Sequence, residues 1–167
     1  MPGPDGAALA AAIKEWGTAL GFQQIGITGI DLAADEARLQ AWLALQYHGE
    51  MDWLATHGTR RSRPAALVPD TLSVVCARLD YLPETQEDAA RQLADPEGAY
   101  ISRYAVGRDY HKVLRKRLQS LATRIEAAAG PFGYRVFTDS APVLEKPLAR
   151  NAGLGWIGKH TNLINRH

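Results

Sequence analysis

The chain has 167 residues, of which 46% are apolar and 22% are charged. This length can bury a core of ordinary size, and the two fractions exclude a disordered, collagen-like or coiled-coil chain. A single cysteine excludes an internal disulfide, and it cannot hold a zinc ion or an iron–sulfur cluster by itself. No apolar run approaches the roughly 18 residues of a membrane span. The small, apolar stretch over 1–12 lacks the basic n-region of a signal peptide, so a signal peptide is not expected. We therefore expect one α/β domain over 1–167, cytoplasmic and without a membrane partner.

The two halves of the chain carry opposite charges. Residues 1–99 hold seven basic and 14 acidic side chains, a net charge of −7. Residues 100–167 hold 12 basic and four acidic side chains, a net charge of +8. Such an asymmetry is typical of proteins with a polyanionic partner, although a basic solvated helix face gives the same count.

The first third of the chain alternates helical and strand patterns. Asp5 is a good N-cap and Gly21 a good stop for a first helix. Its apolar residues recur at helical spacing: Leu9, Ile13, Trp16 and Leu20. A short strand over 22–28, a second helix over 31–47 and a short helical piece over 51–55 are predicted to follow.

The middle of the chain contains the clearest strand and the clearest helix. The near-continuous apolar run at 72–79 is typical of a strand covered on both faces. The acidic stretch over 83–98 contains proline and glycine and is predicted to be a surface excursion. Leucine and isoleucine at helical spacing predict a helix over 109–129, with lysine and arginine on its other sides. A third strand is predicted over 134–138.

The end of that third strand predicts a ligand site. The strand ends at Asp139, and Ser140 and Pro142 are suited to open another helix, which Pro147 should kink or shorten. In open α/β sheets ligands often bind at such junctions, and a carboxyl group desolvated by a large apolar ligand can donate a proton. Asp139 could equally cap the following helix, so its position leaves both roles open.

Two other segments carry groups that bind ligands. Arg60, Arg61 and Arg63 lie in a loop, where three guanidinium groups favour phosphate or carboxylate contacts, although such a run is more often a solvated loop. Residues 100–112 mix tyrosine, arginine and hydroxyl groups that can stack on a planar ligand or pack in the core. Cys76 lies within an apolar strand and is predicted to be inert.

Two patterns do not support a cofactor or metal site. Residues 153–158 match the glycine pattern of dinucleotide-binding proteins, but that mechanism needs a strand before the glycines and a helix after them. Here a helix precedes them and strand-like residues over 161–164 follow. The five histidines lie at 48, 57, 111, 160 and 167, and none is at metal-ligand spacing from another.

From about Met51 to its end, the chain resembles the N-terminal part of the epoxyqueuosine reductases. These enzymes depend on cobalamin and iron–sulfur clusters and catalyse the last step of queuosine modification of tRNA. The resemblance is carried by five segments: 61–64, 79–83, 100–118, 136–146 and 152–161. It implies a mixed sheet flanked by helices, similar to the cobalamin-binding, nitroreductase-like domain of reductive dehalogenases.

The resemblance also implies the site residues. Asp139 is expected to be catalytic, as the proton donor for the opened epoxide oxygen. Arg61, Ser102, Asp139 and the main chain near Leu163 are expected to contact cobalamin. The implied partners are an electron donor and a tRNA whose anticodon loop carries epoxyqueuosine, and a monomer is expected.

The chain departs from the family pattern in two respects. Family members continue into a ferredoxin-like domain with eight cysteines that hold two 4Fe-4S clusters, and those ligands are absent here. The expectation is therefore a truncated reductase, with a non-catalytic corrinoid-binding module, a flavin nitroreductase-like protein or a cofactor-free tRNA-binding module as alternatives. Pro147 is also unexpected in the helix after the proposed acid.

Overall fold

The first helix packs its apolar stripe against the core. The structure is a computed structural model and describes residues 5–81 and 86–166. Helix α1 spans Gly6–Ala19, and the Asp5 side chain accepts a hydrogen bond from a first-turn backbone N–H at 3.2 Å. After α1 the backbone turns at Gly21, whose φ of +85° suits glycine. The predicted cap and stop are both confirmed.

A two-stranded antiparallel ribbon lies between helices on both of its faces. Strand β1 (Gln24–Thr28) pairs with β2 (Val74–Arg78), and Gly26 stands opposite Cys76. One face packs on a core that contains Ile13, Phe22, Ile25 and Leu121. On the other face, a Cβ atom on Gly26 would lie 2.3 Å from the carbonyl oxygen of Ala152, so another backbone approaches the ribbon there. β2 is covered on both faces, as its apolar sequence predicts.

Short helical segments connect β1 to β2. They are α2 (Ala33–Ala44), α3 (Trp53–Thr56), a 3-10 turn (Gly58–Arg61) and α4 (Pro64–Leu67). α2 ends three residues before its predicted end at Tyr47, because the chain turns at Gln46, which has a φ of +56°. Arg60 and Arg61 belong to the 3-10 turn, so the predicted basic loop is partly helical.

Helix α6 is the longest element and matches its prediction. It spans Tyr110–Ala129, is capped by Asp109 and ends at Gly130. Before it, the predicted surface excursion contains a helix, α5 (Gln86–Ala94), and residues 82–85 of that excursion lie outside the described residues. A 3-10 turn over Arg103–Ala105 precedes α6.

The predicted strand over 134–138 is wrong. A strand needs a partner edge for its backbone hydrogen bonds, and no described strand pairs with this segment. The segment instead runs antiparallel to α6 and contacts it through side chains. Gln119 Nε2 donates to the Tyr134 hydroxyl at 2.5 Å, and Arg115 Nη2 lies 3.5 Å from Ser140 Oγ.

The last helix also begins later than predicted. Ser140 and Pro142 do not open it, because α7 spans Glu145–Asn151. Pro147 is the third residue of α7, where the backbone N–H has no partner within the helix, so it neither kinks nor shortens the helix. Two short antiparallel strands follow, β3 (Trp156–Ile157) and β4 (Leu163–Ile164).

The described elements form an α/β fold with two small antiparallel sheets. The sheets are β1–β2 and β3–β4, so the single mixed sheet that was expected is not formed within 5–81 and 86–166. None of the described helices combines the length and hydropathy that crossing a bilayer requires. The same residues contain no cluster of three or more potential metal ligands.

Candidate functional site

Asp139 occupies a tight turn with an unusual backbone conformation. Its φ is +56°, in the left-handed region that few residues other than glycine, asparagine and aspartate adopt. A hydrogen bond from Ser140 N to Thr138 O, at 2.6 Å, closes the turn around it. The Asp139 side chain is 45% exposed, so its carboxyl group is accessible to a ligand.

The first two residues of α6 face this carboxyl group. The Tyr110 hydroxyl donates a short hydrogen bond to Asp139 Oδ2, and His111 Nε2 lies 3.4 Å from the same oxygen. The two rings stack, with 4.0 Å between their centroids. A carboxylate oxygen that meets two potential proton donors is suited to receive and pass on a proton.

His111 lies between two carboxylates. Its Nδ1 atom is 3.0 Å from Asp109 Oδ1, while its Nε2 atom faces Asp139. Asp109 is also the N-cap of α6 and accepts the backbone N–H of His111 at 3.0 Å. The hydrogen bond from the His111 ring is the main cause that lowers the pKa of Asp109. The helix cap therefore also orients the histidine.

Tyr110 is held in its protonated form. Its hydrogen bond to Asp139 is the largest contribution that raises the pKa of Tyr110 to about 12, and desolvation and the charge of Asp139 add to it. Loss of the phenolic proton would bring two negative charges together. The phenol therefore remains a hydrogen-bond donor at neutral pH.

Asp139 does not cap the helix that follows it. The N-cap of α7 is Leu144, whose side chain makes no capping hydrogen bond. The Asp139 carboxyl group faces α6 instead, so the capping alternative is excluded. Glu145, the first residue of α7, is close enough that Asp139 contributes, after desolvation, to raising the pKa of Glu145.

Arg61 is partly buried and fixed by backbone oxygens. Its Nε and Nη2 atoms donate to the carbonyl groups of Leu54 and Trp53, at 3.1 and 2.9 Å. Its guanidinium also lies 5.4 Å from the centre of the Trp53 ring. The carbonyl of Arg61 accepts a hydrogen bond from Leu144 N at 2.9 Å, which connects it to the segment between Asp139 and α7.

The neighbouring arginines differ in their surroundings. Arg63 donates two hydrogen bonds to the Glu36 carboxylate, at 3.0 and 2.6 Å, and Ser62 Oγ donates a third at 2.5 Å. Arg63 thus forms an internal ion pair, and Arg60 is exposed. The three arginines do not form one anion-binding loop.

Ser102 and Leu163 are connected to other elements through residues next to them in the chain. Ser102 is exposed and precedes the 3-10 turn that contains Tyr104, whose ring packs edge-on against Tyr110 at 6.0 Å. Leu163 lies in β4, where Lys146 Nζ donates to the adjacent Asn162 Oδ1 at 3.3 Å. Among the described residues, Asp139 has hydrogen-bond or ion-pair contacts with Tyr110 and His111, and with none of the other predicted ligands.

Cys76 matches its prediction as an inert residue. It lies in β2 and is partly buried. Burial, and to a lesser extent the charge of Glu145, raises the pKa of the Cys76 thiol to about 11. A thiol in this environment is a poor nucleophile and a poor metal ligand at neutral pH.

The sequence pattern predicts no individual role for Tyr110 or His111. They belong to the ligand-binding segment 100–112, but their contact with Asp139 spans 28 or 29 residues of chain. One local signal was available, because an aromatic residue and a histidine directly after a helix N-cap are exposed to a ligand on that side.

Sequence comparison relates the chain to one family. A family model described as epoxyqueuosine reductase QueG, DUF1730, matches residues 61–140. The epoxyqueuosine reductase of Pseudomonas aeruginosa is 62% identical over 163 residues, which cover 98% of this chain and 45% of that protein. That of Xanthomonas campestris is 58% identical over 163 residues, with 98% and 46% covered. The chain therefore spans less than half the length of these relatives.

Structural comparison gives the same relation at lower identity. A crystal structure of selenomethionine-labelled epoxyqueuosine reductase has a TM-score of 0.80 at 23% identity. A crystal structure of such a reductase with a tRNA-Tyr epoxyqueuosine-modified stem loop has a TM-score of 0.76 at 22% identity. A Bacillus subtilis enzyme, described with its catalytic aspartate loop swung out of the active site, has a TM-score of 0.73 at 23% identity. Each covers 96% of this chain and 42% of the other, and the likeness shows a shared fold.

Proposed function

Because this chain belongs to the epoxyqueuosine reductase family, we propose that it forms the cobalamin-binding, proton-donating part of an enzyme that reduces epoxyqueuosine in tRNA to queuosine. The observation that carries the proposal is the accessible Asp139 carboxyl group, held between Tyr110 and His111 in a chain 62% identical to a reductase. The tRNA stem loop bound to a structural relative supports tRNA as the partner.

The reaction assigns a proton-transfer role to Asp139. Converting an epoxide to an alkene takes two electrons and two protons, breaks both C–O bonds and releases the oxygen as water. Asp139 gives a proton to the departing oxygen, which would otherwise leave as a costly anion. Tyr110 and His111 hold the carboxyl group in place, and the His111 ring, whose Nε2 atom faces Asp139, can supply the next proton.

The surface around these residues fits a large ligand with apolar and polar edges. The Thr138 hydroxyl and the Nε and Nη2 atoms of Arg103 are buried and lack hydrogen-bond partners among the described residues. Exposed apolar side chains lie beside the proposed ligand residues: Trp53, Ile101, Tyr104 and Val106. Buried polar groups without partners are uncommon and are consistent with a ligand that satisfies them.

Arg61, Ser102, Asp139 and the main chain near Leu163 are the proposed cobalamin contacts. Bound cobalamin would supply the low-potential electrons that remove the epoxide oxygen. The residues of this chain do not fit the iron–sulfur clusters, because its one cysteine is held as a thiol in β2. Cluster ligands and the electron donor therefore have to come from outside these 167 residues.

The proposal extends to the domain organisation, the oligomeric state and the location of the protein. Residues 1–167 are proposed to be one cobalamin-binding domain, similar to that of reductive dehalogenases, in a monomeric protein. Since its substrate is a tRNA, the cytoplasm is the proposed location. A corrinoid-binding module without turnover is the second candidate, which the single cysteine favours.

The proposal is tested by Asp139→Asn in the natural full-length protein. Asparagine tolerates the left-handed backbone but cannot donate a carboxyl proton, so we expect turnover to fall by about 100-fold or more. Conversion is followed by nucleoside analysis of epoxyqueuosine-containing tRNA. Asp70→Asn is the matched control, because Asp70 is also exposed and has a φ of +59°. Activity within a few-fold of the parent would remove Asp139 as the acid.

A cobalamin titration distinguishes the second candidate, a corrinoid-binding module without turnover, from the proposed reductase. The 167-residue chain is titrated with cobalamin while the visible spectrum is recorded. A saturable shift of the corrin bands, with no turnover in the natural protein, would favour the binding module. A folded chain that gives no shift would mean that these residues do not form the cofactor site by themselves.

A further inference from the structure

A basic groove begins next to Asp139 and runs along α6. The side chains of α6 form one wall and the 134–140 segment forms the other, enclosing a volume of about 390 Å³. Its polar and aromatic lining residues are Arg115, Gln119, Tyr134, Arg135, Phe137 and Ser140. None of these described lining residues is acidic, so the groove is suited to an anion.

The two arginines of the groove have guanidinium groups free for a ligand. Within 5–81 and 86–166, neither Arg115 nor Arg135 forms an ion pair, whereas Arg63 and Arg150 are bound to carboxylates. Arg115 makes a long contact of 3.5 Å to Ser140, and Arg135 lies 5.0 Å from the centre of the Phe137 ring. Unpaired guanidinium groups that flank a groove favour a phosphate.

Aromatic rings at one end of the groove offer a stacking surface. The Phe132 and Tyr134 rings lie 5.2 Å apart and are 41% and 36% exposed. Gln119 donates to the Tyr134 hydroxyl and thereby fixes that ring relative to α6. Exposed aromatic rings beside arginines are the combination that binds unpaired nucleotides, by stacking on the base and contacting the phosphate.

The position of the groove connects it to the proposed reaction. Ser140 lines the groove and directly follows Asp139, and Arg115 lies five residues, or about 7.5 Å along the helix axis, after Tyr110. A base that reaches Asp139 is covalently attached to its neighbours in the strand. Those neighbours must leave the site along a nearby surface.

We propose that this groove binds the single-stranded RNA next to the reacting base, with Arg115 and Arg135 contacting phosphate and Tyr134 stacking on a base. The inference rests on the proposed function and adds a binding site for its substrate. The nucleotide tail of cobalamin also contains a phosphate and an aromatic base, but the proposed cofactor contacts Arg61, Ser102 and Leu163 lie on other elements.

The test compares RNA and cobalamin binding by the natural full-length protein and its double variant Arg115→Ala/Arg135→Ala. The probe is an unmodified tRNA anticodon stem loop with a fluorescent end label, titrated at several salt concentrations. We expect affinity to fall about tenfold or more and the magnitude of the salt slope to fall by about 1.4, because two fewer phosphates are neutralised and fewer counterions are released. Cobalamin affinity should stay within about twofold of the parent.

The control is Arg124→Ala, the same change on the same helix. Arg124 is exposed and follows Arg115 by nine residues, about 2.5 turns, so it lies on the other flank of α6. It should bind RNA like the parent. Tyr134→Ala should weaken binding about tenfold at every salt concentration, whereas Tyr134→Phe should retain most of the affinity, because a phenyl ring still stacks.

Two results would overturn the inference. One is RNA affinity unchanged in the double variant, and the other is a loss of cobalamin affinity that identifies the groove as part of the cofactor site. Failure of the proposed function is recognised separately. In that case Asp139→Asn retains turnover, or the parent protein does not bind the stem loop.

Discussion

Tyr110 and Asp139 form a pair in which the carboxylate keeps the phenol protonated. The phenol donates a hydrogen bond to the carboxylate, and this bond is the main cause that raises the pKa of Tyr110 to about 12. A proton on the phenol is therefore stable throughout the physiological range. In the proposed mechanism, Tyr110 positions the acid and does not act as a base.

This coupling predicts the titration of Tyr110 in Asp139→Asn. Without the Asp139 carboxylate, the main cause of the raised pKa of Tyr110 is lost. We therefore expect this pKa to fall towards the ordinary phenol value of about 10. The measurement is a difference titration of tyrosinate absorbance between the parent and the variant. Tyr110→Phe identifies the signal, since it should remove the phenol that titrates last. Identical parent and Asp139→Asn curves would show that the two groups are not coupled.

At the level of single residues, the sequence singled out the proposed acid, Asp139, but not the residues that contact it. Asp139 was found through its position and through the family resemblance. The contact with His111 was not predictable, because it depends on how the turn around Asp139 lies against α6. Local patterns describe the neighbours of a residue along the chain, whereas this contact joins residues that are 28 positions apart.

The contact between α7 and the β1–β2 ribbon requires glycine at position 26, because a side chain there would meet the backbone of Ala152. A Cβ atom on Gly26 would lie 2.3 Å from the backbone oxygen of Ala152 and 2.8 Å from its Cβ atom. The C-terminal end of α7 can therefore approach β1 closely. Because α7 begins six residues after Asp139, this contact also helps to hold the turn that carries the Asp139 carboxyl group.

We expect Gly26→Ala to destabilise the chain by about 1–3 kcal/mol, because the backbone of Ala152 has to move. Urea unfolding followed by circular dichroism measures the change. Gly29→Ala is the matched control, since nothing lies within 4 Å of a Cβ atom there and its φ lies outside the left-handed region. The control should be neutral or stabilised by up to about 1 kcal/mol. Equal midpoints for the two variants would contradict the close approach.

Elements were predictable where the local pattern and the tertiary contacts agree. α6 combines an N-cap, a long apolar stripe and a terminal glycine, and its predicted and observed bounds coincide almost fully. The segment 134–138 has the composition of a strand, but its neighbour is a helix, and a helix offers no backbone groups for a ladder. Pro147 would break a helix that began near Ser140, but α7 begins at Glu145, so the proline lies in its first turn.

Helix α2 connects distant parts of the molecule through two acidic residues. Glu36 binds Arg63 and Ser62, and Asp35 accepts two hydrogen bonds from Arg150, at 3.2 and 2.8 Å. These contacts join α2 to the start of α4 and to α7. The hydrogen bonds from Arg63 and Ser62 lower the pKa of Glu36 from 4.5 to about 2.

This lowered pKa predicts an acid-sensitive contribution to stability. The contribution is fully present above the unfolded pKa of about 4.5 and is lost as the pH falls towards 2. The parent should therefore be more stable than Glu36→Gln at pH 6, and the difference should shrink between about pH 5 and pH 2. Urea unfolding across this range measures it. The control is Glu15→Gln, which makes the same change on an exposed face of α1. A stability difference between the parent and Glu36→Gln that does not vary with pH would contradict the assignment.

The left-handed turn at Asp139 restricts which residues evolution can place there. The proton donation proposed for Asp139 would by itself accept glutamate, but a longer side chain is less suited to a φ of +56°. The backbone alone would accept glycine or asparagine, which carry no carboxyl group. Aspartate is the residue that meets both requirements, so a lineage that keeps the chemistry has almost no substitution open to it at this position. A lineage that loses the chemistry can drift to glycine or asparagine without disturbing the fold.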